Sequence, residues 1–172
     1  MKKLKIDVED IAMIMDNQDR HESNFYLDTE TGETVIIPDE VITALEEGES
    51  CEGLPSWEVE LLPKAKEIDE GSDRYVEIPS RDSRDAYQQV VDFTQRVKDT
   101  RLKGKLESTL GGRGSFYRFR DALKEYPEVE KQWFKFKAAR DKEAVKEWLE
   151  SIGIEMEGVK KESNQKGYLR KV

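Results

Sequence analysis

The apolar residues of this chain change their period near Pro79, and that switch confines the fold more than any other feature. Before it lie the runs that read as strands. Asn24 to Leu27 and Thr34 to Ile37 are rich in aromatic and β-branched residues and flank Asp28-Thr29-Glu30-Thr31-Gly32-Glu33, where Gly32 supplies the positive φ that a hairpin turn of this length needs. Arg74 to Pro79 alternates, with Val76 and Ile78 on one face and Tyr75 and Glu77 on the other, which predicts a third strand beside the hairpin. After Ser80 the spacing becomes helical: Ala86, Val90, Phe93 and Val97, then Leu102, Leu106 and Leu110, then Phe116, Phe119 and Leu123. A last helix carries Trp133, Phe136, Val145, Trp148, Leu149 and Ile152, with Gly153 as its stop. Strands collected first and helices afterwards predict an α+β fold, a small three-stranded antiparallel sheet packed against a mostly helical C-terminal half.

Shorter helices punctuate the first half. Asp7 can cap a helix whose apolar face is Val8, Ile11, Ala12 and Met15, with Ile6 and Ile11 spaced as a hydrophobic staple and a stop near Asn17. Pro38 and Asp39 open another, carrying Val41, Ile42 and Leu45 and stopping at Gly48, and Glu46 to Gly53 reads as a loop. Trp57, Leu61, Ala65 and Ile68 keep helical spacing, but Pro63 removes a donor and clashes with the turn before it, so that element kinks or begins near Leu62. The expected organisation is one α+β domain over residues 1–154, with an acidic sheet-containing part (1–79), a helical part (80–154) whose helices from Ser80 to Ile152 form one continuous core against the sheet, and a polar basic tail (155–172). Trp57, Trp133, Phe134, Phe136 and Trp148 are assigned mainly to packing.

A chain of 172 residues is long enough to bury roughly two thirds of its unfolded surface, so no staple is required. The single cysteine, Cys51, cannot build a disulfide framework and fits a reducing compartment. Apolar runs such as Ile11 to Met15 fall far short of the ~20 residues of a membrane span. Lys2, Lys3 and Lys5 resemble the start of a signal peptide, but Asp7, Glu9 and Asp10 interrupt the apolar stretch such a peptide needs. The expectation is a cytoplasmic protein with no membrane association.

Charge divides the chain as the apolar period does. Met1 to Asp73 holds 6 Lys/Arg against 21 Asp/Glu, and Arg74 to Val172 holds 23 against 17, so a net charge of −9 conceals a basic half. Within it, Lys98 to Arg120 carries 7 basic and 2 acidic residues around Gly111-Gly112-Arg113-Gly114-Ser115. Helix starts attract anions through free N–H groups and aligned peptide dipoles, and guanidinium groups suit bidentate phosphate contact. Arg113, Gly114, Ser115, Arg118, Arg120, Arg101 and Lys103 are therefore the candidate residues for binding an anion or nucleic acid, with Lys98 beside them. Phe116 and Phe119 are expected to face the core and Arg118 to point away from it. Tyr75, Tyr117 and Tyr126 are possible stacking partners for bases, Tyr117 lying at the edge of the apolar stripe. The plainer reading is that the glycines stop one helix and start the next, and that the arginines form a solvated face. The turn is not a Walker loop, since the Gly-Lys-Ser/Thr ending is missing.

Chemistry of other kinds finds little support. Asp16, Asp19, His21 and Glu22 are close in sequence, yet the central Gly and distal Glu of a calcium loop are absent, and a polar helix-to-strand loop is the simpler account. Asp28, Glu30 and Glu33 read as turn residues. His21 and Cys51 are some thirty positions apart, and Ser115 lacks a Gly-x-Ser-x-Gly elbow. No catalytic set, metal site or cofactor is expected.

Three ordered motifs carry a family resemblance: Phe25-Tyr26-Leu27-Asp28 with Gly32-Glu33, Arg74-Tyr75-Val76-Glu77-Ile78-Pro79-Ser80 followed by Arg81 and Asp82, and Gly112-Arg113-Gly114 leading to Phe116, Arg118, Phe119 and Asp121. Together they resemble the bacterial uncharacterised protein family one-five-eight of the UPF series, over nearly all of Asp7 to Ile154. The resemblance implies a small bacterial cytoplasmic protein and brings no activity, cofactor or catalytic residue with it. Two functional classes follow from the residues: a non-enzymatic binding or regulatory module for a phosphate-bearing partner such as nucleic acid, or an adaptor for another protein that uses the acidic half and its Glu46 to Glu52 loop.

Overall fold

Asp7 begins the ordered helices by accepting a hydrogen bond from the free N–H of Asp10 at 3.0 Å, and the carbonyl groups at the other end of that helix are met by the Asn17 N–H. The computed structural model describes residues 1–17, 20–48 and 52–159. In chain order the elements are β1 (Lys2–Ile6), α1 (Val8–Asp16), β2 (Ser23–Asp28), β3 (Thr34–Pro38), α2 (Asp39–Glu46), α3 (Ser56–Val59), α4 (Leu62–Asp69), β4 (Tyr75–Glu77), α5 (Ser83–Arg96), α6 (Thr100–Glu107), α7 (Ser115–Leu123), α8 (Pro127–Ser151) and β5 (Ile154–Val159). The fold is α+β. Its three-stranded sheet is antiparallel in the order β3-β2-β4, with Phe25 opposite Ile36 and Leu27 opposite Val76. Pro63 lies in the first turn of α4, where its missing N–H would have had no helical partner, so the helix begins at Leu62.

The chain divides into two compact units. The first is Met1–Ser80 together with the residues from Val145 onward, and the second is Arg81–Ala144. The first unit buries both faces of its sheet, because side chains alternate across a strand. Phe25, Leu27, Ile36 and Ile78 pack with Ile6, Ile11, Ile14 and Leu149, while Val35, Ile37 and Tyr75 pack with Val41, Leu61 and Ala65. That is why β3 reads Thr-Val-Ile-Ile-Pro with every residue buried, a continuous apolar run instead of an alternating one. The hairpin turn is held by the Asp28 carboxylate, which accepts from the Glu30 N–H at 2.9 Å and from Arg74 at 2.9 and 2.7 Å. Gly32 sits at φ +76° with a Cβ position only 2.4 Å from the Lys5 carbonyl oxygen, so no other residue fits where this turn approaches β1.

A second sheet departs from the sequence expectation. Lys2–Ile6, with lysines that resemble a leader, is a strand, and it pairs in parallel with Ile154–Val159, where a polar tail is expected from residue 155. Lysines on a strand at the side of a two-stranded sheet are a common guard against unwanted edge pairing. The rest of that expected tail, residues 160–172, lies outside the described residues, as do Cys51, Asp19 and part of the Glu46 to Gly53 loop.

The second unit has its own core, so the helical half does not form one continuous core. Phe93, Phe119 and Trp133 meet edge to face, Phe136 is tilted against Phe93 and stacked on Trp133, Phe119 and Trp133 centroids lie 5.0 Å apart and Phe93 and Trp133 5.4 Å, and Leu102, Leu106 and Leu123 complete the cluster. Val145, Trp148, Leu149 and Ile152, on the end of α8, pack in the first unit instead. Asp82 caps α5 by accepting from the Arg84 N–H, and Asp99 caps α6 by accepting from Arg101 and Leu102. The Asp141 carboxylate is buried on α8 and accepts from Arg81 and Lys137, each at 2.6 Å, and from Gln89 at 3.3 Å. Burial alone would raise its pKa; the hydrogen bonds from Lys137 and Arg81 more than offset this and hold it below the ordinary aspartate value.

Three aromatic assignments are corrected. Trp57 is 48 % exposed, Phe134 56 % and Phe116 39 %. The buried face of α7 runs through Ser115, Phe119, Ala122 and Leu123, a phase that turns Phe116 outward, and Phe134 follows the buried Trp133 by 100° of helix rotation.

Candidate functional site

The glycine turn is built by side chains as well as by glycines. Beyond α6 the hydroxyl groups of Ser108 and Thr109 donate to the carbonyl groups of Lys105 and Leu106, each at 2.6 Å, and close the helix end. Gly114 then starts α7 at φ +76° without a side-chain cap, which leaves the first N–H groups of that nine-residue helix without the usual Ser, Thr, Asp or Asn acceptor.

Arg118 is drawn back into this turn. Its guanidinium group donates to the carbonyl oxygens of Arg113 at 2.6 Å, Gly111 at 2.7 Å and Thr109 at 3.3 Å. A planar fork with five donors reaches carbonyl groups spread along the turn, which the three donors of a compact ammonium group span less well. A Cβ at position 114 would sit 3.3 Å from the Arg118 Nη1, close enough to displace the guanidinium by a few tenths of an ångström. Arg118 stays exposed and off the core face of α7, and in that position its guanidinium group is engaged by the turn's own carbonyl groups.

The other candidates are distributed over three segments. Arg113 is exposed in the turn, Arg101 is exposed in the first turn of α6, and neither forms an ion pair among the described residues. Lys103 makes a long contact to the Gln95 carbonyl oxygen at 3.4 Å. Lys105 pairs with Glu125 and lies 5.6 Å from the Tyr126 ring centroid, which occupies both residues. Arg120 lies two residues beyond Arg118, so about 200° of rotation separates them and they leave α7 on different sides. Ser115 is buried. No single hollow therefore gathers all seven candidate residues.

Arg120 instead belongs to a groove of about 330 Å³ between α7 and α8. Tyr117, Arg120 and Lys124 follow one another at three- and four-residue spacing along α7, and Trp133 and Phe134 contribute from α8. Tyr117 is 69 % exposed. Asp121 and Glu130 add two carboxylates to the same lining. Lys124 and Phe134 are absent from the candidates read from the sequence. Their signal was phase: Val129, Trp133 and Phe136 mark the core stripe of α8, and Phe134 falls off it.

Among the described residues no group of three or more His, Cys, Asp or Glu side chains is placed to hold a metal, and no helix is long and apolar enough to cross a membrane. Elsewhere Glu58 is buried near Glu40, and burial first, then the neighbouring carboxyl, raises its pKa.

Comparison with known proteins gives a family and no activity. A UPF0158 protein of Pseudomonas aeruginosa is 24 % identical over 155 residues, covering 90 % of this chain and 88 % of its own length. No solved structure matches. The model described as "Uncharacterised protein family (UPF0158)" matches residues 1–167, and the chain belongs to that family.

Proposed function

We propose that the helical unit, Arg81–Ala144, is a non-enzymatic binding module for a phosphate-rich partner. The observation that carries this reading is the placement of charge. This unit holds 16 Lys/Arg against 11 Asp/Glu, or +5, and the remainder of the chain holds 13 against 27. Arg101, Arg113 and Arg120 have no ion-pair partner among the described residues, whereas Arg81, Lys105, Lys137 and Arg140 are paired with acids. Cations standing on α6, on the turn and on α7 suit a chain of phosphates better than one compact anion, since an extended backbone can be followed by separated contacts. The uncapped start of α7 adds N–H donors beside Arg113.

Retention of the full chain on immobilised RNA or DNA at rising salt tests the proposal. Affinity falls steeply with salt, and Arg113→Gln and Arg120→Gln each lower the logarithmic salt slope by about 1. Absence of retention at low salt ends it. A second reading, a docking surface for a basic protein on the acidic unit, is favoured by one observation, the exposed Trp57 on α3. A co-purifying protein that survives Trp57→Ala unchanged would remove it.

A further inference from the structure

The geometry points to the α7–α8 groove as a stacking platform for an unpaired base, so that the phosphate-rich partner of the helical unit is a single-stranded nucleic acid whose bases carry exocyclic amino groups. This deepens the proposal above and rests on it.

Three kinds of group meet in the groove. Tyr117 and Phe134, two of the most exposed large apolar side chains of the described residues, offer ring faces from α7 and α8. Aromatic faces that remain open to water in a folded unit bind flat π-systems well, and bases of every kind present one when unpaired. Arg120 and Lys124 bring positive charge to the same groove, and neither has an acidic partner among the described residues. Asp121 and Glu130 bring acceptors.

That mixture decides between ligands. A groove meant only for phosphate has no use for carboxylates, which repel it. A nucleotide has both needs, with negative charge on the phosphate and amino donors on the base edge, and carboxylates accept from the cytosine N4 amino group. Size agrees, because 330 Å³ lies at the small end of ligand sites, the scale of a small molecule and not of a duplex. Paired bases hide their faces in the stack, so a duplex would meet the cations alone. The groove floor is Trp133, whose ring packs on Phe119 at 5.0 Å and on Phe93 at 5.4 Å, so the platform is fixed by the core of the unit. A rigid platform binds without first being ordered.

The test is fluorescence anisotropy of end-labelled twelve-nucleotide strands titrated with the full chain: oligodeoxycytidylate, oligothymidylate and a duplex of mixed sequence. Oligodeoxycytidylate is expected to bind more tightly than oligothymidylate, which has no amino group, by about fivefold or more, and more tightly than the duplex. Tyr117→Ala and Phe134→Ala each weaken it roughly 5- to 150-fold with an unchanged salt slope, and Tyr117→Phe retains binding because the ring remains. Both side chains are exposed, so the variants are expected to keep the helical circular dichroism of the parent. If the alanine variants bind as the parent does while salt sensitivity persists, the stacking inference is overturned and the phosphate reading stands. Equal affinity for the two homopolymers overturns the role of Asp121 and Glu130. If no strand binds at low salt, both readings fall together.

Discussion

Arg20 and Arg118 use their guanidinium groups in the same way and with different reach. Arg20, in the first unit, donates to the carbonyl oxygens of Ile78 at 2.6 Å, Ile14 at 2.7 Å, Pro79 at 3.0 Å and Asn17 at 3.3 Å, and lies over the Phe25 ring. It joins the end of α1 to the chain that follows β4, segments some sixty residues apart. Arg118, in the second unit, collects three carbonyl groups that are all within nine residues of it. One arginine closes a tertiary junction; the other shapes a turn. A long-range link opposes unfolding of the whole unit, whereas a local one can open while the rest of the structure persists.

The comparison is sharpened by an arginine that binds a carboxylate instead. Asp141→Ala leaves the Arg81 side chain, only 6 % exposed, without its buried acceptor, and is expected to cost about 3–5 kcal/mol, read as a lowered urea midpoint. Arg20→Ala comes next, at about 2–3 kcal/mol, because carbonyl groups are orphaned but no charge is stranded. Arg20→Lys should recover less than half of it, since an ammonium group cannot span four acceptors.

The third effect concerns acid. Burial by itself raises the Asp28 carboxyl, yet hydrogen bonds from Arg74, Glu30 and Thr31 take it from 3.8 down to about 2. A folded value below the unfolded one contributes stability above 3.8 that disappears as pH falls toward 2. Asp28→Asn is therefore expected to flatten the stability profile across that window; a profile as steep as the parent's would show that Asp28 does not shape it. Smallest is Arg118→Ala, about 1 kcal/mol or less, with amide exchange quickening in residues 109–118 alone. A cost equal to that of Arg20→Ala would break the distinction between the two arginines.

What the sequence made legible was local. The Asp7 cap, the Gly32 hairpin, the strand at Tyr75–Glu77 and the late start at Leu62 each depend on residues within a few positions of one another. The β1–β5 pair was not legible, because Lys2 meets Ile154 and no neighbouring residue announces it. In the candidate site, the glycine turn could be read from spacing, whereas the phase of Tyr117, at the edge of the apolar stripe, left its exposure open. The folding of Arg118 back onto the turn could not, since a guanidinium group that seeks carbonyl oxygens looks, in one dimension, like any free cation. Phe134 was readable in principle, being one position off the stripe that carries Trp133 and Phe136.

The register of β1 against β5 sets a schedule for biosynthesis. Ile154 is translated 152 positions after its partner Lys2, a delay of roughly 8–30 s at ordinary elongation rates. Arg81–Ala144 is complete in the nascent polypeptide before that moment and encloses its own aromatic cluster. The helical unit is thus able to mature while β1 still waits, and the lysines of that waiting strand keep an unpaired edge from recruiting neighbours on the same polysome.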